Sequence, residues 1–480
     1  MASKTHLLNY VDPTYEFIET PDGTCKVDVR FKVGEGDEKN IPAMRRKILF
    51  REAAKSSLFA MAFIQKLATD GDSQAKALRS IYRAYIRFLD TGDKSHLQQC
   101  CQALEHHADG VVQGCIRYLA SALAGTPVAP ELRASQDLLN KLIPNIGQAV
   151  SCQLPHKVYD EQEVTVPESQ AQHKAFPDIV KHEGHYYVCF REAFSHIGFK
   201  DLGSIRIVRG ECDPRTFQWT WTNVAFLTKE GIDLRDPRFF VTTDNTLKII
   251  MGGTVVDENN ETTSMVPHVA SFEKGKWSIV EAIVDPAAKG PNGQWIWRVT
   301  WNEFDQKGYG FSYGAGSTLD LMQTSDGLHF KKIATIDCRP LNNLSEATIR
   351  FKSDGTAIAL IRSRRHGIIG QATPKNGYKT WLLSIVPFRI GGPNFVVTQE
   401  KMWAATRYYF LHEDNMLDDS TIISLMDEIT LIPVLRLKSG IDTSYPGMVL
   451  EADGSATIVY YARELDKESR IFITRITLPC

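Results

Sequence analysis

The chain carries almost no excess of charge: 55 lysines and arginines stand against 57 aspartates and glutamates, a formal net charge of −2. A protein-wide positive field that would gather nucleic acid or a polyanionic surface is thereby excluded, so any anion recognition has to be built locally. Long hydrophobic runs are also lacking. Even the stretch from Leu58 to Ile64 is closed by Gln65 and Lys66, well short of the ~18 apolar residues that mark a membrane-spanning helix. Met1 to Asp12 shows no apolar core preceded by basic residues and followed by a small-residue cleavage site, so no Sec-type signal peptide is expected. Nine cysteines, at positions 25, 100, 101, 115, 152, 189, 212, 338 and 480, make no CxxC spacing and no even set. Reduced thiols are the expectation, and with them a cytoplasmic protein or one exported without a Sec signal; neither a metal site nor a cofactor is expected.

At 480 residues the chain exceeds the size at which a single hydrophobic core keeps growing, so two domains are expected. The first 35 residues alternate around Pro21-Asp22-Gly23, with Tyr15, Phe17, Val27, Val29, Phe31 and Val33 at a period of two, the pattern of a short β-hairpin. From Pro42 to about Ile146 apolar residues recur at intervals of three and four, as in Leu58, Phe59, Ala62 and Phe63, and again in Leu78, Ile81, Tyr82, Tyr85 and Leu89. That period is helical. Breaks at Asp70-Gly71-Asp72, Thr91-Gly92-Asp93 and Gly125-Thr126-Pro127 divide the stretch into about four helices. A hairpin plus helical domain is therefore expected over 1–150, and such a module is a candidate for binding a protein partner. His106 and His107 diverge by ~100° on a helix and cannot both face one metal. Arg45, Arg46, Lys47 and Arg51, flanked by Glu52, read as a solvated helix face.

A linker with Pro155 and Pro167 is expected over 151–168. Beyond it helical periodicity gives way to short aromatic and β-branched runs, such as His185 to Phe190, Leu247 to Met251, Ala357 to Ile361 and Thr457 to Tyr461, punctuated by Gly, Asp and Asn. The stretch is too long for one β-sandwich and lacks the helices that cover a parallel sheet. A radial array of four-stranded blades suits it, and ~50 residues per blade makes about six. Thr324-Ser325-Asp326-Gly327-Leu328-His329-Phe330 places a tight polar turn before an aromatic ring, with a degenerate copy from Asp213 to Trp219 and similar Asp-Gly hairpins at 354–355 and 453–454. The expected fold class is thus mainly β, a six-bladed β-propeller over 169–480 preceded by the hairpin and α-helical domain.

Four polar residues then fall at telling intervals on strand-like sequence: Glu346, Arg362 sixteen residues later, Arg407, and Tyr445 thirty-eight residues after that. A phenol is a poor nucleophile at neutral pH because its reference pKa is near ~10, so it needs a carboxylate to accept its proton. Guanidinium groups beside such a pair hold a substrate carboxylate bidentately. The combination is suited to attack on an anionic sugar.

With Glu346-Ala347-Thr348 leading through Gly355 to Arg362, then Arg407-Tyr408-Tyr409 and Asp442-Thr443-Ser444-Tyr445-Pro446-Gly447, the region 165–480 resembles the sialidase superfamily. The resemblance implies a six-bladed propeller that cleaves terminal sialic acids from a glycan by a retaining mechanism. It assigns Tyr445 as nucleophile, Glu346 as its base, and Arg362 and Arg407 to the substrate carboxylate. The family's acid/base aspartate corresponds to Asp201 in Asp201-Leu202-Gly203-Ser204, where a raised pKa would let it protonate the leaving oxygen and later activate water. The family's first-strand Arg-Ile-Pro is here Ala175-Phe176-Pro177, so the triad lacks its first arginine; Arg191 or Arg298 is expected to replace it, and His196 to line the pocket. A second reading takes Asp178, Asp236 in Arg235-Asp236-Pro237-Arg238, and Glu346 as the carboxylate trio of furanosidase or mannoside-phosphorylase propellers, which work without a tyrosine. A third is a non-catalytic propeller that binds glycan or protein.

Overall fold

The computed structural model describes residues 14–19, 25–30, 57–196, 201–259, 261–288, 295–314, 316–399, 401–411, 416–463 and 468–479. The chain forms two compact units, Met1–Cys152 together with Tyr409–Asp418, and Gln153–Tyr408 together with Asp419–Cys480.

In the first unit, strands Thr14–Glu19 and Cys25–Arg30 pair antiparallel from Thr14↔Arg30 to Glu19↔Cys25. The Pro21-Asp22-Gly23 turn expected to join them, the basic cluster Arg45 to Arg51 and the helical start at Pro42 lie outside the described residues. Helices span Ser57–Thr69, Ser73–Thr91, Ser95–Ala103, Gly110–Leu123, Arg133–Leu142 and Ile146–Ser151, more than the four read from the periodicity. Two of the expected breaks are true helix ends: Asp72 accepts a bond from the Ala75 N–H at the start of Ser73–Thr91, and Gly92 at φ 70° ends it. Leu78, Ile81, Tyr82, Tyr85, Phe88 and Leu89 of that helix are buried, so its apolar stripe, rather than propensity, holds it in place. His106 and His107 are not on a helix but in the turn before Gly110–Leu123. His107 Nδ1 accepts from the Asp109 N–H at 3.1 Å, and Asp109 in turn caps the helix through the Val111 and Val112 N–H groups. The distal segment joins this unit through the Leu411 N–H, which donates to Tyr82 Oη at 3.0 Å, and through the pairing of Leu417 and Met416 with Cys25 and Lys26. No local pattern announces an attachment formed by residues more than three hundred positions away.

The second unit is mainly β, with propeller-like sheets. Asp233–Val241, Leu247–Val256, Thr262–Glu273 and Lys276–Glu281 form one four-stranded meander; Ala347–Phe351, Ala357–Arg362, Gly367–Ala372 and Leu382–Val386 form another. Among the described residues hydrogen bonding yields five sheets rather than six, because the meander starting at His173–His182 is joined to the one ending at Ser469–Thr477 by a single parallel pair, Ser469↔His173. The stretch expected to be linker contains a strand, His156–Glu163, which pairs antiparallel with Ser469–Thr477. Its largely polar sequence hides it, as suits a half-exposed strand whose partner lies at the other end of the chain.

Four strands share a local defect. Register shifts occur at Ala175/Asp178, Arg235/Arg238, Gly391/Asn394 and Ser444/Gly447, and each encloses a residue of positive φ followed by proline: Phe176 (59°), Asp236 (47°), Gly392 (52°) and Tyr445 (52°). Proline cannot donate to the ladder, so the strand bulges there and re-aims a side chain. Three of these residues carry a Cβ, and their left-handed backbone is a stored strain of the kind found at functional sites. The Asp-Gly hairpin at 326–327 closes as its sequence implies: Asp326 Oδ1 accepts from the Leu328 and His329 N–H groups, each at 2.8 Å, and Phe330 is buried.

Candidate functional site

Glu346 immediately precedes the strand Ala347–Phe351, and Arg362 ends its neighbour, Ala357–Arg362. The sixteen-residue interval is therefore one rung of a hairpin, closed by the Arg362 N–H donating to Glu346 O at 2.9 Å. Side chains follow the backbone. Arg362 Nη1 donates to Glu346 Oε1 at 2.6 Å and Oε2 at 2.8 Å. Tyr445, thrown out by its bulge on Asp442–Leu450, donates its hydroxyl to Glu346 Oε1 at 2.6 Å and accepts from Arg362 Nη1 at 3.0 Å. The three groups close a triangle of charge-assisted hydrogen bonds.

Burial alone would raise the Glu346 pKa, but the Arg362 charge and hydrogen bond, the Tyr445 hydroxyl and the Arg407 charge outweigh it and hold the carboxyl below its ordinary value. Tyr445 is driven the other way, first by burial and then by the Glu346 charge, against Arg362 and Arg407. An ionised acceptor thus faces a phenol that keeps its proton at rest, so any nucleophilic use of Tyr445 must couple attack to proton transfer. The ring is held by packing: Phe176 lies 5.0 Å from it and Trp297 6.1 Å, centroid to centroid. Gly392 is needed beneath it, since a Cβ there would sit 2.7 Å from Tyr445 Cγ and 2.8 Å from its Cα.

Arg407 approaches the same ring, with Cζ 5.3 Å from the centroid. Its fork is engaged by Asp442 Oδ1 and Tyr461 Oη, each at 2.7 Å, by Thr443 O at 2.8 Å and by Asp419 Oδ2 at 3.2 Å. Against the desolvation that would raise it, Arg407 and His196 hold the Asp442 carboxyl well below the usual range. His196 Nδ1 stands 3.7 Å from Asp442 Oδ2, with its ring edge-on to Phe176 at 5.4 Å.

The remaining candidates are placed differently from the sequence expectation. Arg191 is fully buried, with Nε on Asp233 Oδ1 at 2.9 Å and Nη1 on Ser195 O at 3.0 Å; it neutralises an interior carboxylate instead of joining the anion clamp. Arg298 is also interior, with Nη1 at 3.1 and 3.0 Å from the two oxygens of Asp178. Asp178 further accepts from the Phe239 N–H at 2.9 Å, so the carboxylate trio loses one member to an internal ion pair. Both arginines are buried, and each balances a buried acid. Asp201 accepts from the Phe194 N–H at 2.9 Å, from the Ser195 N–H at 2.5 Å and from Ser195 Oγ at 2.6 Å. These donors overcome the effect of desolvation and lower its pKa, the reverse of what a resting acid requires. Asp236 is the carboxyl that burial does push up, with Arg238 opposing and Glu346 adding to the shift.

Asp442, Tyr461 and Gly392 were missed as site residues. For Gly392 a partial signal existed: a residue-proline pair inside strand-like sequence occurs at 176–177, 236–237, 392–393 and 445–446, and these four mark bulges, although the acidic-proline pairs at 213–214 and 285–286 do not. Among the described residues, His173, His196 and Asp442 bring ligand atoms within 4.8 Å of one another. Arg191 Nη1 lies 3.4 Å from His173 Nδ1 and Arg407 is on Asp442, so two guanidinium groups already supply the positive charge a metal would bring. The cluster is better suited to hydrogen bonding than to a metal. A cavity of about 490 Å³ opens beside it, lined by Gln172, His173, Phe194, Ser195, His196, Arg463 and Glu468.

No protein-family model and no curated protein matches the chain. Among solved structures it is similar to a Dyadobacter fermentans protein of unknown function, with a TM-score of 0.55 and 15% identity, over 68% of this chain and 100% of that one. It is also similar to Trypanosoma rangeli sialidase in complex with the inhibitor DANA, with a TM-score of 0.47 and 11% identity, over 67% of this chain and 59% of that one. The complex of that enzyme with sialic acid has a TM-score of 0.47 and 12% identity, over 67% of this chain and 59% of that one. The first likeness establishes a shared fold. No helix among the described residues is long and apolar enough to cross a membrane.

Proposed function

We propose that the chain is a sialidase-like exo-glycosidase that removes a terminal anionic sugar, with retention, from a glycan. The reading rests on one observation: Tyr445 Oη, Glu346 and Arg362 converge within 3.0 Å of one another. Glu346 takes the phenol proton as Tyr445 attacks the anomeric carbon, while Arg362 and Arg407 balance the carboxylate of the substrate as its ring becomes oxocarbenium-like. Arg362 and Arg407 are the groups that meet the substrate carboxylate; Arg407 is preset by Asp442 and Asp419, a rigid fork rather than a mobile one. Six blades are the preferred grouping of the sheets, the eight-stranded one being divided at its lone Ser469↔His173 pair. The furanosidase reading is disfavoured by the pairing of Asp178 with Arg298.

Purified protein assayed on a fluorogenic sialoside beside neutral glycosides tests the proposal. Turnover of the sialoside that disappears in Tyr445→Phe, with unchanged thermal unfolding, is expected. Turnover confined to a neutral glycoside, or full activity in Tyr445→Phe, would sink it. Glycan binding without turnover would indicate a recognition module.

A further inference from the structure

The proposed reaction needs a group that gives a proton to the departing oxygen and later takes one from water. Asp201 is poorly placed for this. Both of its oxygens are committed to donors, the Phe194 and Ser195 N–H groups and the Ser195 hydroxyl, and a carboxylate surrounded by donors has no proton to give. Those bonds instead hold the turn that carries His196. A second tether reaches the same residue: the Arg235 guanidinium, braced by Asp233, donates to the His196 carbonyl.

His196 is half exposed and, with His173, lines the cavity of about 490 Å³. Its Nδ1 faces Asp442 Oδ2 at 3.7 Å, while Asp442 Oδ1 is fixed by Arg407 and Tyr461. Its ring meets Phe176 edge-on, and Phe176 packs on Tyr445 at 5.0 Å. The imidazole is thus one aromatic ring removed from the proposed nucleophile, with one nitrogen 3.7 Å from a carboxylate and an open cavity for the group that departs. Neighbouring His173 cannot take part in the proton transfer, because burial foremost, then the charges of His196 and Arg191, push its pKa down to about 3 and keep it neutral.

We infer that His196, oriented by Asp442, is the proton donor to the leaving-group oxygen and the base for the incoming water, and that the cavity beside it receives the leaving sugar. The inference rests on the Tyr445 reading above. In the first step the tyrosine oxygen bonds to the anomeric carbon, the phenol proton passes to Glu346, the glycosidic C–O bond breaks and the imidazolium proton goes to the departing oxygen. In the second, neutral His196 takes a proton from water as its oxygen attacks the anomeric carbon; the tyrosyl C–O bond breaks and Glu346 returns its proton to the phenolate. An imidazole has one nitrogen that can give a proton and one that can take it, and Asp442 stands beside its Nδ1 in the manner of a base-orienting carboxylate.

Leaving-group dependence separates this from the alternatives. The wild-type protein, His196→Gln, Asp201→Asn and Tyr445→Phe are assayed on sialyllactose, whose sugar alcohol needs protonation to depart, and on 4-nitrophenyl sialoside, whose phenolate does not. The expected result is a loss of kcat/KM in His196→Gln of about 100-fold or more on sialyllactose and less than about 5-fold on the nitrophenyl substrate. Retained nitrophenyl cleavage is also the control for folding. Equal losses on both substrates, no loss on either, or a leaving-group-dependent loss in Asp201→Asn in place of His196→Gln overturns the assignment. A wild-type protein inert on both sialosides, or an active Tyr445→Phe, overturns the parent reading, and the role of His196 falls with it; that outcome is distinguishable because it does not involve the His196 variant.

Discussion

Gly392→Ala should disable the site without touching a polar atom. Gly392 has φ +52°, and an added Cβ would meet Tyr445 Cγ at 2.7 Å, its Cα at 2.8 Å and Cδ2 at 2.8 Å. One of those atoms is backbone, so a side-chain rotation cannot relieve the clash. Left-handed backbone costs an alanine about 1–2 kcal/mol, and forcing a methyl into a packed position adds about 1–3 kcal/mol. Together that is about 2–5 kcal/mol. Gly377 is the internal control: its φ is +64° with no atom within 4 Å of an added Cβ, so Gly377→Ala carries the backbone term alone, about 1–2 kcal/mol. Chemical denaturation of both variants measures the difference, and the extra destabilisation in Gly392→Ala is the steric term. Activity should separate them more sharply, because admitting the methyl displaces Tyr445, backbone and ring together, from its 2.6 Å bond to Glu346; a drop of tenfold in rate corresponds to about 1.4 kcal/mol of transition-state stabilisation. Equal destabilisation by the two substitutions, or full activity in Gly392→Ala, would refute the packing argument.

Glu346→Gln removes the proposed proton acceptor and the partner of Arg362; it should abolish turnover and destabilise the protein by up to about 3–5 kcal/mol, less to the extent that water reaches the 20% exposed Arg362 side chain, as read by denaturation. Arg191→Met leaves Asp233 short of one cation in the interior and should lower stability by a similar amount, about 3–5 kcal/mol, while KM stays unchanged because the guanidinium is fully buried. His173 makes stability pH-dependent: its folded pKa of about 3 lies below its unfolded value, so between about pH 6.5 and 3 the unfolded chain binds the additional proton and stability falls as pH falls. His173→Asn should flatten that slope in urea titrations from about pH 7 to 4.5, and an unchanged slope would show that His173 is not its source. The depressed Glu346 carboxyl acts in the same sense at lower pH, its contribution being present above about 4.3 and lost as pH drops through the folded value.

Much of this was legible in residue order. The Asp72 and Gly92 caps, the period-two hairpin and the change from helical to strand periodicity near residue 150 are local properties, decided by neighbours within a few positions. Glu346 and Arg362 are nearly as local, since a hairpin with Gly355 at its turn brings them to one rung. The bulge residues were legible only in part, because a residue-proline pair bulges a strand but also begins turns, as at Asp213-Pro214 and Asp285-Pro286.

What sequence order alone determined is the set of chemical types: a tyrosine, a glutamate and arginines in strands, with balanced charge elsewhere. How each of those arginines is partnered was decided only in three dimensions. Asp233 and Asp178 hold Arg191 and Arg298 in the interior from 42 and 120 residues away, while Glu346 holds Arg362 and Asp442 and Asp419 hold Arg407, both partly exposed. The same holds for the acids: Asp201 looks like a free carboxyl until the Phe194–Ser195 turn folds over it, and Asp236 looks like a turn residue until burial raises its pKa. Desolvation and Coulomb energy depend on distance through space and on the exclusion of water, and neither quantity exists until the sheets have closed around the side chains.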